Sequence, residues 1–160
     1  MMDVSIREAT PDDAEVLAPV YRGAYQENIK LGFPAKAASV TTEIVSDWIE
    51  EHTVFVASID SEIVGAVRIE EMEPHRAKLS RLGVGEPWKG EGVGSRLLDH
   101  VEGFAREHGY TTLCLTTPED HPYLVKMYRR RGFEQTGDYP LAYRDYDEVV
   151  MEKQLPPNEG

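Results

Sequence analysis

The chain has 160 residues, 41% of them hydrophobic, which is enough for one domain with a substantial core and too few for two ordinary ones. Its 29 acids against 17 bases leave a net charge of −12. That balance argues against nucleic acid or an anionic membrane as partner; it favours a cationic substrate such as an amine, or a surface kept hydrated in high salt. In chain order, Met1 to Thr10 alternates polar and apolar residues with nothing like a signal peptide, and no apolar run anywhere approaches the roughly 20 residues of a membrane span. The expected location is the cytoplasm. Val4 and Ile6 mark a short first strand, and Thr10-Pro11-Asp12-Asp13 reads as an N-cap, an N1 proline and an acidic first turn. The helix that follows carries an apolar face of Ala14, Leu17, Val20, Tyr21, Ala24 and Tyr25, with Pro19 inside it predicting a kink or a misplaced start. Lys30 to Lys36, with Gly32 and Pro34, is a break.

A second helix carries Ile44, Val45, Trp48 and Ile49 on one face. Thr53 to Ile59 and Ile63 to Glu70 are β-rich runs joined by Asp60-Ser61-Glu62, a hairpin with a short turn. A third run, Ala77 to Val84, leads into a glycine loop and then a helix with Val93, Leu97, Leu98, Val101, Phe104 and Ala105 at helical spacing, closed by Gly109 as C-cap. Thr111 to Thr117 is an apolar strand. Its single cysteine, Cys114, excludes an internal disulfide, leaves no thiol cluster for a metal, and sits between Leu113 and Leu115 as a core residue. Asp120-His121-Pro122 starts another helix, and Phe133 to Tyr139 and Asp147 to Leu155 form an antiparallel pair. The result is a single domain over residues 1–155 with a frayed tail at 156–160. It is an α/β chain of mixed type, in the order β, α, α, β, β, β, α, β, α, β, β.

Chemistry concentrates at Lys89-Gly90-Glu91-Gly92-Val93-Gly94-Ser95. Glycines at alternate positions let the backbone turn sharply and bring N–H groups close to a ligand, and the helix behind adds the positive end of its dipole, so the loop reads as a phosphate cradle. A P-loop needs Lys and then Ser or Thr after its last glycine, whereas Glu91 follows Gly90 and Ser95 follows Gly94. A dinucleotide fingerprint begun at Gly90 needs a glycine where Ser95 stands. The stretch instead resembles the Q/R-x-x-G-x-G/A loop of the GCN5-related N-acetyltransferase superfamily, with Leu82-Gly83-Val84 ending the strand before it. A second block, Tyr123-Leu124-Val125-Lys126-Met127-Tyr128-Arg129-Arg130-Arg131-Gly132-Phe133, resembles that family's helix with a tyrosine one turn before a closing Gly-Phe. Two positions depart from the pattern. Lys89 stands where Arg or Gln is usual, losing the planar fork, and His121 stands where Asn is common.

The resemblance implies a central, mixed, mostly antiparallel twisted sheet of about seven strands flanked by about four helices, with a splay between the strands around Leu82 and Leu115. It implies an acetyl-CoA-dependent N-acetyltransferase acting on a primary amine, small-molecule or peptide, by direct transfer in a ternary complex, with no metal. The alternative is a noncatalytic sensor of acyl-CoA. Carried over position by position, main-chain groups of Leu82, Gly83 and Val84 would meet the pantetheine and thioester. Lys89, Gly90, Glu91, Gly92, Val93, Gly94 and Ser95 would hold the diphosphate, and His121 and Arg129 would also contact the cofactor. Because CoA is anionic and the chain acidic, the cations Lys89, Arg96, Lys126, Arg129, Arg130 and Arg131 at the two blocks would have to overcome the overall field.

Tyr128 is the implied general acid, since a phenol of pKa about 10 can protonate a departing thiolate; an ordinary core tyrosine is the other reading. No base is evident. The candidates are Glu70, Glu71, Glu73 and His75 before the third run, and Glu27, unless water alone removes the amine's proton. Tyr25, Asn28, Phe33, Trp48, Glu71 and the segment Tyr139 to Tyr146 are expected around the acceptor. Family members often pair through their late strands, so a homodimer is expected.

Overall fold

A computed structural model describes residues 3–32, 39–139 and 147–156. It divides into two compact units, Met1–Glu70 with Ser80–Val101 and Glu71–Leu79 with Glu102–Gly160. Among the described residues there are seven strands and four helices of seven residues or more, in the chain order expected, with one additional five-residue helix after the first.

In the first unit, β1 (Ser5–Glu8), β2 (Thr53–Ile59), β3 (Glu62–Glu73) and β4 (Arg76–Val84) hydrogen-bond in that order, β3 and β4 continuing into the second unit. β1–β2 and β2–β3 are antiparallel. The β2–β3 turn is Asp60-Ser61, both with positive φ (52° and 69°), a mirror-image turn whose twist matches that of the strands it joins. Thr10 begins the helical region. Its N–H donates to Asp13 Oδ2 at 2.8 Å, a 3-10 turn (Pro11–Asp13) follows, and α1 (Ala14–Ala24) continues from it.

Pro19 does not stop α1. Its ring lies on the exposed face, where the carbonyl deprived of a partner can bond water. The interruption comes instead at Tyr25 (φ −94°, ψ 2°), before the short α2 (Gln26–Lys30). α3 (Thr42–Glu51) is capped by Thr41, whose hydroxyl accepts from the Ile44 N–H at 3.2 Å. Leu17, Ala18 and Tyr21 of α1 and Val45 of α3 share one buried cluster with Val54 and Val56 of β2. Phe55, between those two valines, meets His100 of α4 (Val93–Glu107) edge-on at 4.5 Å. Alternate residues of β2 thus serve opposite faces, which is why the strand reads as one unbroken apolar run.

In the second unit the order is β4-β5-β7-β6, with β5 at Thr112–Pro118, β6 at Glu134–Tyr139 and β7 at Glu148–Gln154. β4 and β5 are parallel over Arg76↔Thr112, Ala77↔Leu113 and Lys78↔Cys114, and the ladder ends there, one residue before Leu115. β7 is antiparallel to β5 along its whole length and to β6. Both helices ending in this unit close with the same cap. At α4, Gly109 (φ +83°) lets its own N–H reach Arg106 O at 3.2 Å and the Tyr110 N–H reach Ala105 O at 2.9 Å. At α5 (Leu124–Arg130), Gly132 (φ +99°) donates to Arg129 O and Phe133 to Tyr128 O, each at 3.0 Å.

Candidate active site

The first unit builds the approach to the glycine loop from β3 and β4. Across the β2–β3 ladder Ala57 faces Gly65 and Ser58 faces Ile63, leaving Val64 as an extra residue. Its carbonyl accepts from the Gly85 N–H at 2.7 Å and so anchors the chain as it leaves β4. Gly65 and Gly83 allow close packing here. A Cβ on Gly65 would lie 2.9 Å from Gly83 O, and one on Gly83 would lie 3.1 Å from Ala24 Cβ and 3.2 Å from Tyr25 Cε2. After Gly85 come a 3-10 turn (Glu86–Trp88) and then Gly90 and Gly92, with φ of +83° and +87°. Among the described residues nothing lies within 4 Å of where either glycine's Cβ would be, so the left-handed backbone, not crowding, calls for glycine. α4 starts at Val93. Its first-turn N–H groups, on Val93, Gly94 and Ser95, have no carbonyl one turn earlier to bond, and Ser95 and Glu91 are exposed. Gly94 is the loop glycine with no positive φ; a Cβ there would sit 3.8 Å from Val84 Cγ2.

Lys89 points elsewhere. Its Nζ donates to Ala24 O at 3.0 Å and pairs with Glu86 at 3.1 Å and Glu27 at 3.5 Å, which ties the loop to the end of α1 and spends its charge on two carboxylates. Leu82, half-buried, has its carbonyl bonded by the Tyr25 hydroxyl at 2.7 Å. Asn28 is half-buried on α2, and Phe33 and residues 140–146 lie outside the described residues. Trp48 holds a feature that the sequence reading missed. The guanidinium carbons of Arg68 (β3) and Arg81 (β4) each lie 5.2 Å from its ring centroid, and the Tyr21 ring meets it edge-on at 5.5 Å. Arg68 Nε donates to Ser80 Oγ at 3.1 Å, and Glu70 stands 3.8 Å from Arg68 and 3.5 Å from His52. Burial, and then the charge of Arg81, push the Arg68 pKa down, while burial raises that of the Tyr21 phenol far above its usual range. Two arginines thirteen positions apart on different strands leave no motif; only the pairing of β3 with β4 brings them together.

The second unit holds the tyrosine block. Tyr128 is buried on α5, its ring 5.5 Å from that of Phe133 at 69°. The Tyr-x-x-x-Gly-Phe spacing is thus a helix cap as well: the Phe133 N–H returns to the Tyr128 carbonyl and the two rings cover the turn. His121 is buried, and its Nδ1 accepts from the Tyr123 and Leu124 N–H groups at 3.3 Å each, so it serves the first turn of α5 as a capping acceptor. Arg129 and Arg130 are exposed, whereas Arg131 pairs with buried Glu102 at 3.0 Å. Lys153 takes the other oxygen of Glu102 at 2.6 Å. Glu71 accepts from the Tyr110 hydroxyl at 3.0 Å, and the His75 carbonyl takes the N–H groups of Thr111 and Thr112. Burial raises the Cys114 pKa, leaving a neutral thiol with little nucleophilic character. Among the described residues no group of His, Cys, Asp and Glu could hold a metal ion, and no helix is long and apolar enough to cross a membrane.

Residues 21–133 match the model of the acetyltransferase (GNAT) family. The chain is 30% identical to an S-alkylcysteine N-acetyltransferase of Bacillus subtilis (strain 168), over 98% of this chain and 92% of that protein. It is 28% identical to an S-(2-succino)cysteine N-acetyltransferase of the same organism, over 93% and 94%. In fold it is similar to a GNAT-family acetyltransferase of Streptococcus pneumoniae, with a TM-score of 0.79 and 23% identity over 96% of this chain and 100% of that one. A putative acetyltransferase of Salmonella typhimurium, solved with its cofactor acetyl-CoA, gives a TM-score of 0.77 at 18% identity over 98% and 96%.

Proposed function

The chain belongs to the acetyltransferase (GNAT) family, and from that premise we propose that it moves an acetyl group from acetyl-CoA directly to a primary amine, S-substituted cysteines being the first acceptors to try. The observation that carries the reading is the loop: two left-handed glycines, open beside both, running straight into the unpaired N–H groups of a fifteen-residue helix. That backbone fits a diphosphate. Gly90, Gly92, Val93, Gly94 and Ser95 would hold it by main-chain donors, with little help from the already paired Lys89. Acetyl-CoA supplies the activated thioester. Main-chain groups of Gly83 and Val84 would align its arm, since the Leu82 carbonyl already serves Tyr25.

The amine must arrive neutral; with a pKa near 10.4 that costs about 4 to 5 kcal/mol at pH 7. Glu27, Glu70 and Glu71 each already have partners, so deprotonation through water is the simpler route. Tyr128 would return a proton to the departing sulfur, a role that stands on the family resemblance.

The test is release of free thiol from acetyl-CoA across S-methyl-L-cysteine, other amino acids, polyamines, aminoglycosides and peptides, beside calorimetric titration of acetyl-CoA. Thiol release with at least one small amine is expected. Tyr128→Phe should lower turnover by roughly 100-fold with acetyl-CoA binding unchanged. Absence of acetyl-CoA binding, or binding with no thiol release from any amine, overturns the reading.

A further inference from the structure

The first unit keeps two arginines short of anions. Arg68 and Arg81 share the Trp48 ring, so two like charges sit side by side. Arg68 is largely buried, and among the described residues the acid within ion-pair range is Glu70, at 3.8 Å and shared with His52. Arg81 has no carboxylate within 4 Å among the described residues, and its buried Nε has no hydrogen-bond partner. The buried hydroxyl of Tyr21, whose ring touches the same indole, also has none among the described residues. Unsatisfied buried donors are costly. Arg81 adds a backbone cost, since its φ of +53° puts a long side chain in the left-handed region. In a chain with 29 acids to 17 bases, two neighbouring arginines that share one acid, with orphan donors beside them, leave room for a further anion.

We propose that Arg68 and Arg81, backed by Trp48 and joined by the Tyr21 hydroxyl, are a receptor for the α-carboxylate of the acceptor, so that the amines acetylated are free amino acids; this rests on the acetyl-transfer reading above. Contact with an aromatic ring engages a guanidinium's face and leaves its N–H edge for a carboxylate, which it can bind with two parallel hydrogen bonds. Arg81 precedes Val84 by three residues on the same strand. An α-carboxylate lies one carbon from the α-amine, so anchoring it near Arg81 brings the nitrogen toward the end of β4. Uncharged side chains on the acceptor would then be tolerated as long as the carboxylate is free.

The experiment compares S-methyl-L-cysteine, its primary amide and 2-(methylthio)ethylamine as acceptors, by thiol release with the wild-type protein and with Arg81→Gln and Arg81→Lys. For the wild type kcat/KM should favour the acid over both analogues by roughly 30- to 100-fold. Arg81→Gln should remove most of that preference, with less than a twofold change for the amide and in KM for acetyl-CoA, and Arg81→Lys should fall between. Equal wild-type rates on acid and amide overturn the receptor, and need no variant to fold. So does a loss in Arg81→Gln that is the same for acid and amide. Titration of tryptophan fluorescence with the acid and the amide, without acetyl-CoA, separates the two readings. Selective binding of the acid with no turnover keeps the receptor and sinks acetyl transfer, while turnover with no preference does the reverse.

Discussion

Asp13 shows how much one side chain can be asked to do in this protein. Its carboxylate takes both terminal nitrogens of Arg7, at 2.8 and 2.9 Å, and the Thr10 N–H at 2.8 Å, so it joins β1 to the start of the first helical region. Those bonds favour the charged form, and the Arg7 guanidinium above all brings the Asp13 pKa from the ordinary 3.8 down to about 2. A carboxylate lowered on folding stabilises the folded state above its unfolded pKa and loses that share as pH falls through the folded one. The window is therefore pH 4 to 2. Solvent screens a pair of which Arg7 is half exposed, so the share is about 1 kcal/mol, less than the full shift implies. Urea unfolding of the wild type and Asp13→Asn should show a stability gap of about 1 kcal/mol at pH 6 that closes toward pH 2.5; a gap that stays constant would remove the ion pair as its cause. Thr10-Pro11-Asp12-Asp13 was legible as a helix start, but Arg7 was not, because a strand residue six positions away joins the cap only through the turn between them.

Among the elements, the ends were more legible than the middles. Gly109 announced a cap, and it closes its helix with the expected left-handed residue; Gly132 does the same for α5. Pro19 does not end the helix, since a proline on a solvent face costs a hydrogen bond that water can replace. Glu102 was invisible, being an acid on the apolar side of an otherwise regular amphipathic helix, and only the fold brings Arg131 and Lys153 to it. It ties α4 to the end of α5 and to β7. Glu102→Gln keeps the shape but leaves two partly buried cations facing a neutral amide, and breaking such a site costs about 2 to 3 kcal/mol, somewhat below the value for full burial. The urea midpoint should fall accordingly, with the loss largest at low salt. Glu102→Gln combined with Lys153→Met should recover part of the loss, because one of the stranded charges is gone. A double variant no more stable than the single one would show that Glu102 acts by packing and not by charge.

At the scale of the whole molecule, fold class and glycine loop could be read because both depend on local spacing: strand periods of two, helical periods near 3.6, and glycines where φ turns positive. The cluster of Trp48, Arg68 and Arg81 could not, since the three meet only through a hairpin and a helix laid against it. Net charge was equally plain, yet its meaning changes once the partners of each cation are known. Lys89 is paired with Glu27 and Glu86, Arg131 with Glu102, and Arg129 and Arg130 lie exposed at the end of α5. On the proposed reading, a chain of net charge −12 whose loop lysine is already neutralised would repel an anionic donor at long range, and the loop's amides would capture it at short range. Salt separates the two effects, because the screening length falls from about 30 Å at 0.01 M to about 8 Å at 0.15 M. Long-range repulsion is screened while short hydrogen bonds persist. The KM for acetyl-CoA should therefore fall by roughly two- to fivefold between those ionic strengths, the reverse of what a basic loop would give. Steady-state rates at fixed saturating acceptor, with sodium chloride varied, measure this, and a KM that rises with salt would mean that free cations, not backbone amides, draw the donor in.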